Sequence, residues 1–238
     1  MTTTDTAALS EVRGPAEELS TRDRRRCTQL SWQSTSWMSS VAEAEDTVGV
    51  HGQCYPAPVG TQVIVLNGTS SSGKTSIGRC LQSMLSTPWL LLGIDDLTRA
   101  VPDKGIDDGT LLHVSEIGHV EVGPGWRSLE ASWYIGIATI AASGTGVIVD
   151  EVFLDGGAGQ GRLRTALGGL EALWVGVTCD LDTARAREAQ RPDRVAWQAE
   201  SLASLVHEGV EYDLVVDTSR ATAESCAAEI LEGVSPTP

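Results

Sequence analysis

Eight residues constrain this chain more than any others: Gly68-Thr69-Ser70-Ser71-Ser72-Gly73-Lys74-Thr75. They fit the pattern G-x-x-x-x-G-K-[ST]. Before them stands an apolar run, Val63-Ile64-Val65-Leu66, and after them a stretch of helical spacing from Thr75 to Leu85. The β-branched content of the first run marks a buried strand. Strand, glycine-bounded turn and helix are the setting in which this motif carries chemistry. The glycines let the backbone curl until successive N–H groups point at one place. The helix start adds the positive end of its dipole. Lys74 is then set to reach β- and γ-phosphates, and the Thr75 hydroxyl to ligate Mg²⁺. Gly68, Thr69, Ser70, Ser71, Ser72, Gly73, Lys74 and Thr75 are the expected nucleoside triphosphate cradle. The plain alternative, a Ser/Gly turn without chemistry, does not account for the strand before it and the helix after it.

Charge makes the cradle more telling. The chain has 238 residues with 32 acids against 17 bases, a net charge of −15. Its general surface repels nucleic acid and anionic lipid, so any anion it holds needs a local device. Only Lys74 and Lys104 are lysines. Apolar residues make up 41% and charged residues 21% of the chain, the range of a globular protein. No apolar run approaches the roughly 20 residues of a membrane-spanning helix, and Met-Thr-Thr-Thr-Asp does not open a secretory signal. The five cysteines are scattered without a CxxC pair, which disfavours disulfides and zinc. Reduced thiols and a cytoplasmic location are expected, with Cys179 packed inside an apolar strand.

Residues 1–60 differ from the rest. They are rich in Ser, Thr, Glu and Arg and lack an apolar period, so a disordered extension is expected, with Arg24-Arg25-Arg26 as a solvated knot or a contact patch. Met38 is an alternative start. A single domain is expected over 61–238. After the first strand and helix come Trp89–Leu92 (strand), Asp96–Val101 (helix), a loop-like glycine-rich stretch 103–125, and Trp126–Ala142 (helix). Val147–Asp150 (strand), Ala158–Leu170 (helix) and Leu173–Thr178 (strand) follow. Helices over Asp182–Gln190 and Arg194–His207, a strand Leu214–Asp217 and a helix Ala221–Val234 complete the domain. Apolar, barely alternating strands separated by helices predict a five-stranded parallel sheet covered on both faces, a three-layer α/β fold.

Three features bear on the acceptor. Asp95 ends the second strand, where ligands of open parallel sheets gather; it reads as a general base for an attacking hydroxyl or as the N-cap of the next helix. Asp96 reads as a cap or first-turn acid. Asp150-Glu151 closes an apolar strand, as in a Walker B arrangement, and Asp150 would hold Mg²⁺ directly or through water; Glu151 reads equally as a surface acid. Arg187, Arg191 and Arg194 crowd a helix break around Pro192. They read as a closing lid whose forks stabilise transferring phosphate, or as a charged helix exterior paired by Glu188 and Asp193. Asp95, Lys74, Arg187, Arg191 and Arg194 are the candidate catalytic residues, and Thr75 and Asp150 the candidate metal ligands.

The residues also resemble a known family. Val65-Leu66-Asn67-Gly68 with Ser70-Ser71 and Gly73-Lys74, Arg79–Ser83, Pro88-Trp89, Gly93-Ile94-Asp95, Gly123-Pro124, Arg127–Glu130, Ile148–Asp150, Val152–Leu154, Leu173–Val177, Arg187-Glu188, Arg191, Asp193-Arg194-Val195 and His207–Asp213 are similar to segments of chloramphenicol phosphotransferase. The resemblance spans about 62–234. It implies a fold like the nucleoside monophosphate and shikimate kinases, a P-loop NTPase fold. It implies ATP- and Mg²⁺-dependent phosphorylation of the primary 3-hydroxyl of chloramphenicol, with Asp95 as base and Arg187, Arg191 and Arg194 in the lid. Ser72 stands where alanine is more usual, and 102–123 departs from the family pattern. Another small hydroxylated acceptor is the near alternative, and a non-catalytic nucleotide-binding regulator the distant one. The expected partner is a small-molecule alcohol, neither nucleic acid nor membrane; a homo-oligomer is compatible with this. Trp126, Trp133 and Phe153 are candidate apolar walls of the acceptor pocket.

Overall fold

A computed structural model describes residues 60–107, 109–115, 120–190 and 205–235. Five parallel strands form the sheet: β1 (Val63–Asn67), β2 (Leu90–Gly93), β5 (Val147–Glu151), β6 (Ala172–Thr178) and β7 (Leu214–Asp217). Their spatial order is β2-β5-β1-β6-β7. Strand β1 lies between β5 and β6, with Leu66 in register with Asp150 and with Val175. The chain leaves β1 toward one side of the sheet and later crosses to the other. The carboxyl end of β1 is therefore the switch point where a crevice opens.

Both faces of the sheet are covered. Ile64, Leu66, Ile148 and Val175 meet Ile77 and Leu81 of α1 (Lys74–Met84) and Cys226, Ala227 and Ile230 of α7 (Ala223–Glu232). On the other face Val63, Val65, Val147 and Val149 meet Tyr134, Ile137 and Ala141 of α4 (Pro124–Ala142) and Leu163 and Leu167 of α5 (Gly157–Leu167). The expected three layers and five strands are present. Ile64, Leu66, Ile148 and Val63 are fully excluded from solvent. Truncating one such aliphatic side chain to alanine costs roughly 2–5 kcal/mol.

Local chemistry sets the element ends. In the short helix α2 (Ile94–Ala100), the Gly93 N–H donates to Asp96 Oδ2 at 2.7 Å. Asp96 is thus the capping acid of α2, and Asp95 sits beside it in the first turn without being the N-cap. Pro124 opens α4, where its missing N–H costs no helical bond. Asp180 caps α6 (Leu181–Glu188) by accepting the Thr183 N–H at 2.8 Å.

The stretch expected to be loop, 103–125, is not. It holds α3 (Asp103–Asp107) and an antiparallel hairpin of β3 (Leu112–Val114) and β4 (Val120–Val122). Three-residue strands are too short to show a period. A small third core explains why they form at all: Leu112 and Trp126 bury against Leu97 of α2. Cys179 is also displaced from its expected place. It follows β6 by one residue and is half-buried at the strand's end. Of the expected helix 194–207, residues 194–204 lie outside the described residues, and 205–207 fall in a turn. The expected extension 1–60 lies outside them apart from Gly60.

Candidate active site

The turn between β1 and α1 has the backbone geometry of an anion nest. Ser71 has φ 61° and Gly73 has φ 96°; Ser71 is the sole non-glycine at positive φ among the described residues. A Cβ on Gly68 would stand 2.3 Å from the Val177 carbonyl oxygen, so the loop passes too close to β6 for any side chain. The Oγ atoms of Ser70, Ser71 and Ser72 are buried without a hydrogen-bond partner. Buried hydroxyls left unpaired are costly, and for Ser70 and Ser71, which line the cavity, a polyphosphate supplies the acceptors they lack. Lys74 is 6% exposed, and its Nζ donates to the carbonyls of Gly68 at 2.9 Å and Thr69 at 2.8 Å. The lysine is held at the cradle in readiness for phosphate oxygens.

Asp150 lies next to the cradle because β5 pairs with β1. Thr75 Oγ1 donates to Asp150 Oδ2 at 2.5 Å, and Lys74 Nζ stands 3.8 Å from Asp150 Oδ1. Thr75 and Asp150, the two expected metal ligands, are therefore in direct contact. Among the described residues no group of three or more His, Cys, Asp or Glu side chains gathers for a metal. A hydroxyl and one carboxylate beside a phosphate cradle suit Mg²⁺, which keeps most of its water and takes phosphate oxygens for the rest.

A cavity of about 950 Å³ joins these groups to the acceptor side. Ser70, Ser71, Gly73, Lys74 and Thr75 line it, with Asp95, Asp150 and Arg187. Gly68, Thr69 and Ser72 stand behind this lining; Thr69 and Ser72 are buried. Asp95 and the cradle thus share one cavity. Trp126 and Phe153 also line it, whereas Trp133 does not and packs among α4's core neighbours instead.

Arg187 takes a position that its sequence context did not specify. Its Nη2 donates to the Thr218 carbonyl at 2.8 Å and its Nη1 to Thr218 Oγ1 at 3.0 Å. Thr218 Oγ1 in turn donates to the Ser72 carbonyl at 2.7 Å. Arg187 therefore clasps the cradle to the segment after β7. Arg191 and Arg194 lie outside the described residues.

Glu151, read from sequence as a surface acid, is 1% exposed. It points with Val147 and Val149 to the face opposite Asp150. Burial drives its carboxyl up to about 8, and the neighbouring Glu130 and Asp150 charges add to this; the Val152 N–H and the Tyr134 hydroxyl work against it. Burial, with Glu151 beside it, likewise raises the Tyr134 phenol well above its ordinary value.

Other residues at the site carried no assigned role in the sequence. Asn67, 1% exposed, gives Nδ2 to the Val206 carbonyl at 2.7 Å and the Tyr212 hydroxyl at 2.6 Å, while its Oδ1 accepts the Phe153 N–H at 3.0 Å. One amide ties the end of β1 to two distant segments. Glu130 and Arg162 line the cavity with Arg127 and Asp155 behind them. Burial pushes the Asp155 carboxyl up, but the hydrogen bond from Arg162 and the charges of Arg162 and Arg127 outweigh it and hold it below the usual range. The i,i+3 spacing of Arg127 and Glu130 was the one available signal of this group.

Comparisons with known proteins give a family and a fold. The Mycobacterium tuberculosis protein named "Putative O-phosphotransferase Rv2636" is 29% identical over 189 residues, spanning 74% of this chain and 84% of its own. A sugar kinase from Janibacter sp. HTCC2649 superposes with a TM-score of 0.55 at 18% identity, covering 72% of this chain and 93% of that one. The Mycobacterium tuberculosis APS kinase CysC, solved with AMPPNP and APS, gives 0.51 at 16% identity, covering 74% and 98%. These two establish the fold as that of the P-loop kinases. No described helix is long and apolar enough to cross a membrane. The family model described as "Chloramphenicol phosphotransferase-like protein" matches residues 61–235, and the chain belongs to that family.

Proposed function

We propose that the protein transfers the γ-phosphoryl group of ATP to the primary 3-hydroxyl of chloramphenicol, inactivating the antibiotic in the cytoplasm. One observation carries the reading: Asp95 shares a single cavity with Lys74, Thr75 and Asp150. The family supports a phosphotransferase, and the apolar surfaces of Trp126 and Phe153 suit an aromatic acceptor.

The chain's residues divide the work. The backbone of Gly68–Thr75 binds the triphosphate and fixes its γ-phosphorus for in-line attack. Asp95 orients the acceptor hydroxyl and accepts its proton as the oxygen–phosphorus bond forms. Lys74 neutralises charge on the β- and γ-oxygens, including the charge that collects on the bridging oxygen as the bond to ADP breaks. Thr75 and Asp150 would hold Mg²⁺. When bound, the ion supplies further neutralisation across the β- and γ-phosphates. Arg187 steadies the cradle through Thr218, and Arg191 and Arg194 are assigned to the spreading charge of the transferred group.

The test is purified protein with ATP, Mg²⁺ and a panel of small alcohols, read by mass spectrometry of the products. Chloramphenicol is expected to gain one phosphoryl group at the 3-position. Transfer to another alcohol with none to chloramphenicol would overturn the acceptor. ATP binding with no transfer to any alcohol would leave a nucleotide-binding regulator.

A further inference from the structure

Helix α4 brings Glu130 to the cavity wall and α5 brings Arg162. Arg162 Nε donates to Glu130 Oε2 at 2.7 Å. Its Nη1 and Nη2 engage both Asp155 oxygens, at 2.8 and 2.9 Å. Arg127 closes the arrangement, with Nη1 on Glu130 at 3.0 Å and Nη2 on Asp155 at 2.9 Å. Two guanidiniums and two carboxylates form a ring with no net formal charge. Glu130 is 6% exposed, so the ring's inner edge is withdrawn from water, where charge matters most.

Arg162 is the cation that this wall presents to the cavity, and its planar fork is already filled by carboxylates. A fork in that state has no bidentate face left for a ligand anion. An anionic group brought against this wall would have to displace Asp155, or lie with its own charge facing Glu130. Either arrangement is costly in a partly dry cavity. We propose that the Arg127–Glu130–Arg162–Asp155 ring is a charge filter on this wall of the cavity, favouring uncharged acceptors by withholding Arg162 from carboxylate and phosphate groups. The inference rests on the phosphotransferase reading and narrows its substrate class.

Chloramphenicol and an analogue with carboxylate in place of its nitro group match in shape and differ by one charge. Their kcat/KM ratio is measured on wild type, Asp155→Asn and Arg162→Gln. Wild type is expected to favour the nitro compound. Asp155→Asn leaves the ring with one positive charge and is expected to move the ratio toward the carboxylate by about tenfold or more. Arg162→Gln leaves one negative charge and is expected to move it the other way. A merely structural role would shift both variants alike, and Arg162→Gln alone still gives the sign should Asp155→Asn not fold. Wild-type preference for the carboxylate, or a ratio that moves in neither variant, overturns the filter. Should wild type phosphorylate neither compound, the chloramphenicol reading fails and the filter is read by calorimetry with benzoate and benzamide. Benzoate is then expected to bind Asp155→Asn and not wild type; equal behaviour toward benzoate, including no binding to either, overturns the inference.

Discussion

The two flanks of the phosphate cradle are built differently. On the β6–β7 side, two contacts end on the main chain, Arg187 donating to the Thr218 carbonyl and Thr218 Oγ1 to the Ser72 carbonyl, beside one side-chain bond from Arg187 to Thr218 Oγ1. On the β2–β5 side, they run between side chains: Thr75 to Asp150, and Arg162 to Glu130 and Asp155. A carbonyl is present whatever residue carries it, so the first flank needs only its two donors, Arg187 and Thr218, while its acceptor at Ser72 can change identity. The second depends on particular residues from α1, β5, α4 and α5. The contrast assigns an unvarying task, holding a nucleotide, to one side, and a selectable task, choosing an acceptor, to the other.

The comparison is sharpened most by variants on the side-chain flank and at the cradle. Lys74→Ala removes the charge at the centre of the cradle; kcat is expected to fall by about 10³-fold, with weaker ATP binding by calorimetry. Asp95→Asn should keep ATP affinity while kcat falls by about 10²-fold or more, since geometry survives and proton acceptance does not. Near-normal turnover in that variant would remove Asp95 from the chemistry. Arg187→Ala tests the main-chain flank. It breaks hydrogen bonds to Thr218 and is expected to lower stability by about 1–2 kcal/mol in urea titration, with a modest loss of nucleotide affinity and an unchanged preference among acceptors. A change in acceptor preference would break the division between the flanks.

Glu151 gives the most specific effect, confined to how stability depends on pH. Its folded-state value of about 8 lies above the ordinary 4.5. The unfolded chain therefore loses this proton first as pH rises, and the folded chain holds it longer. The contribution of this group to stability is full below about 4.5 and declines toward 8, on the order of 1 kcal/mol per pH unit. Glu151→Gln, measured without metal by thermal unfolding across that range, should flatten the decline. An unchanged slope would mean that the burial of this carboxyl is not felt.

The same contrast governs what could be read before folding. Strand β1, the cradle and β5 announce themselves because each is local: a β-branched run, a fixed motif, an apolar run ending in acid. The cap of α2 was half legible, since two adjacent acids competed and only the Gly93 N–H decides for Asp96. Glu151 could have been found by alternation, because Val147, Val149 and Glu151 share one face of β5 while Asp150 takes the other. The hairpin β3–β4 could not, for its three-residue strands exist by virtue of a small core with Trp126 and Leu97. Nor could the ring, whose members come together only when α4 and α5 pack.

Asn67 precedes Gly68, and Asn-Gly is the dipeptide most prone to spontaneous ageing: the glycine nitrogen attacks the asparagine amide carbon, expels ammonia and leaves a succinimide. Here that amide is pinned by Val206, Tyr212 and Phe153, so its carbon cannot swing toward the Gly68 nitrogen. The cradle's entrance is thus shielded from decay while the fold is intact and open to it during each excursion to the unfolded state. A stored preparation would carry, at a single bond, a cumulative record of how often its molecules have come apart.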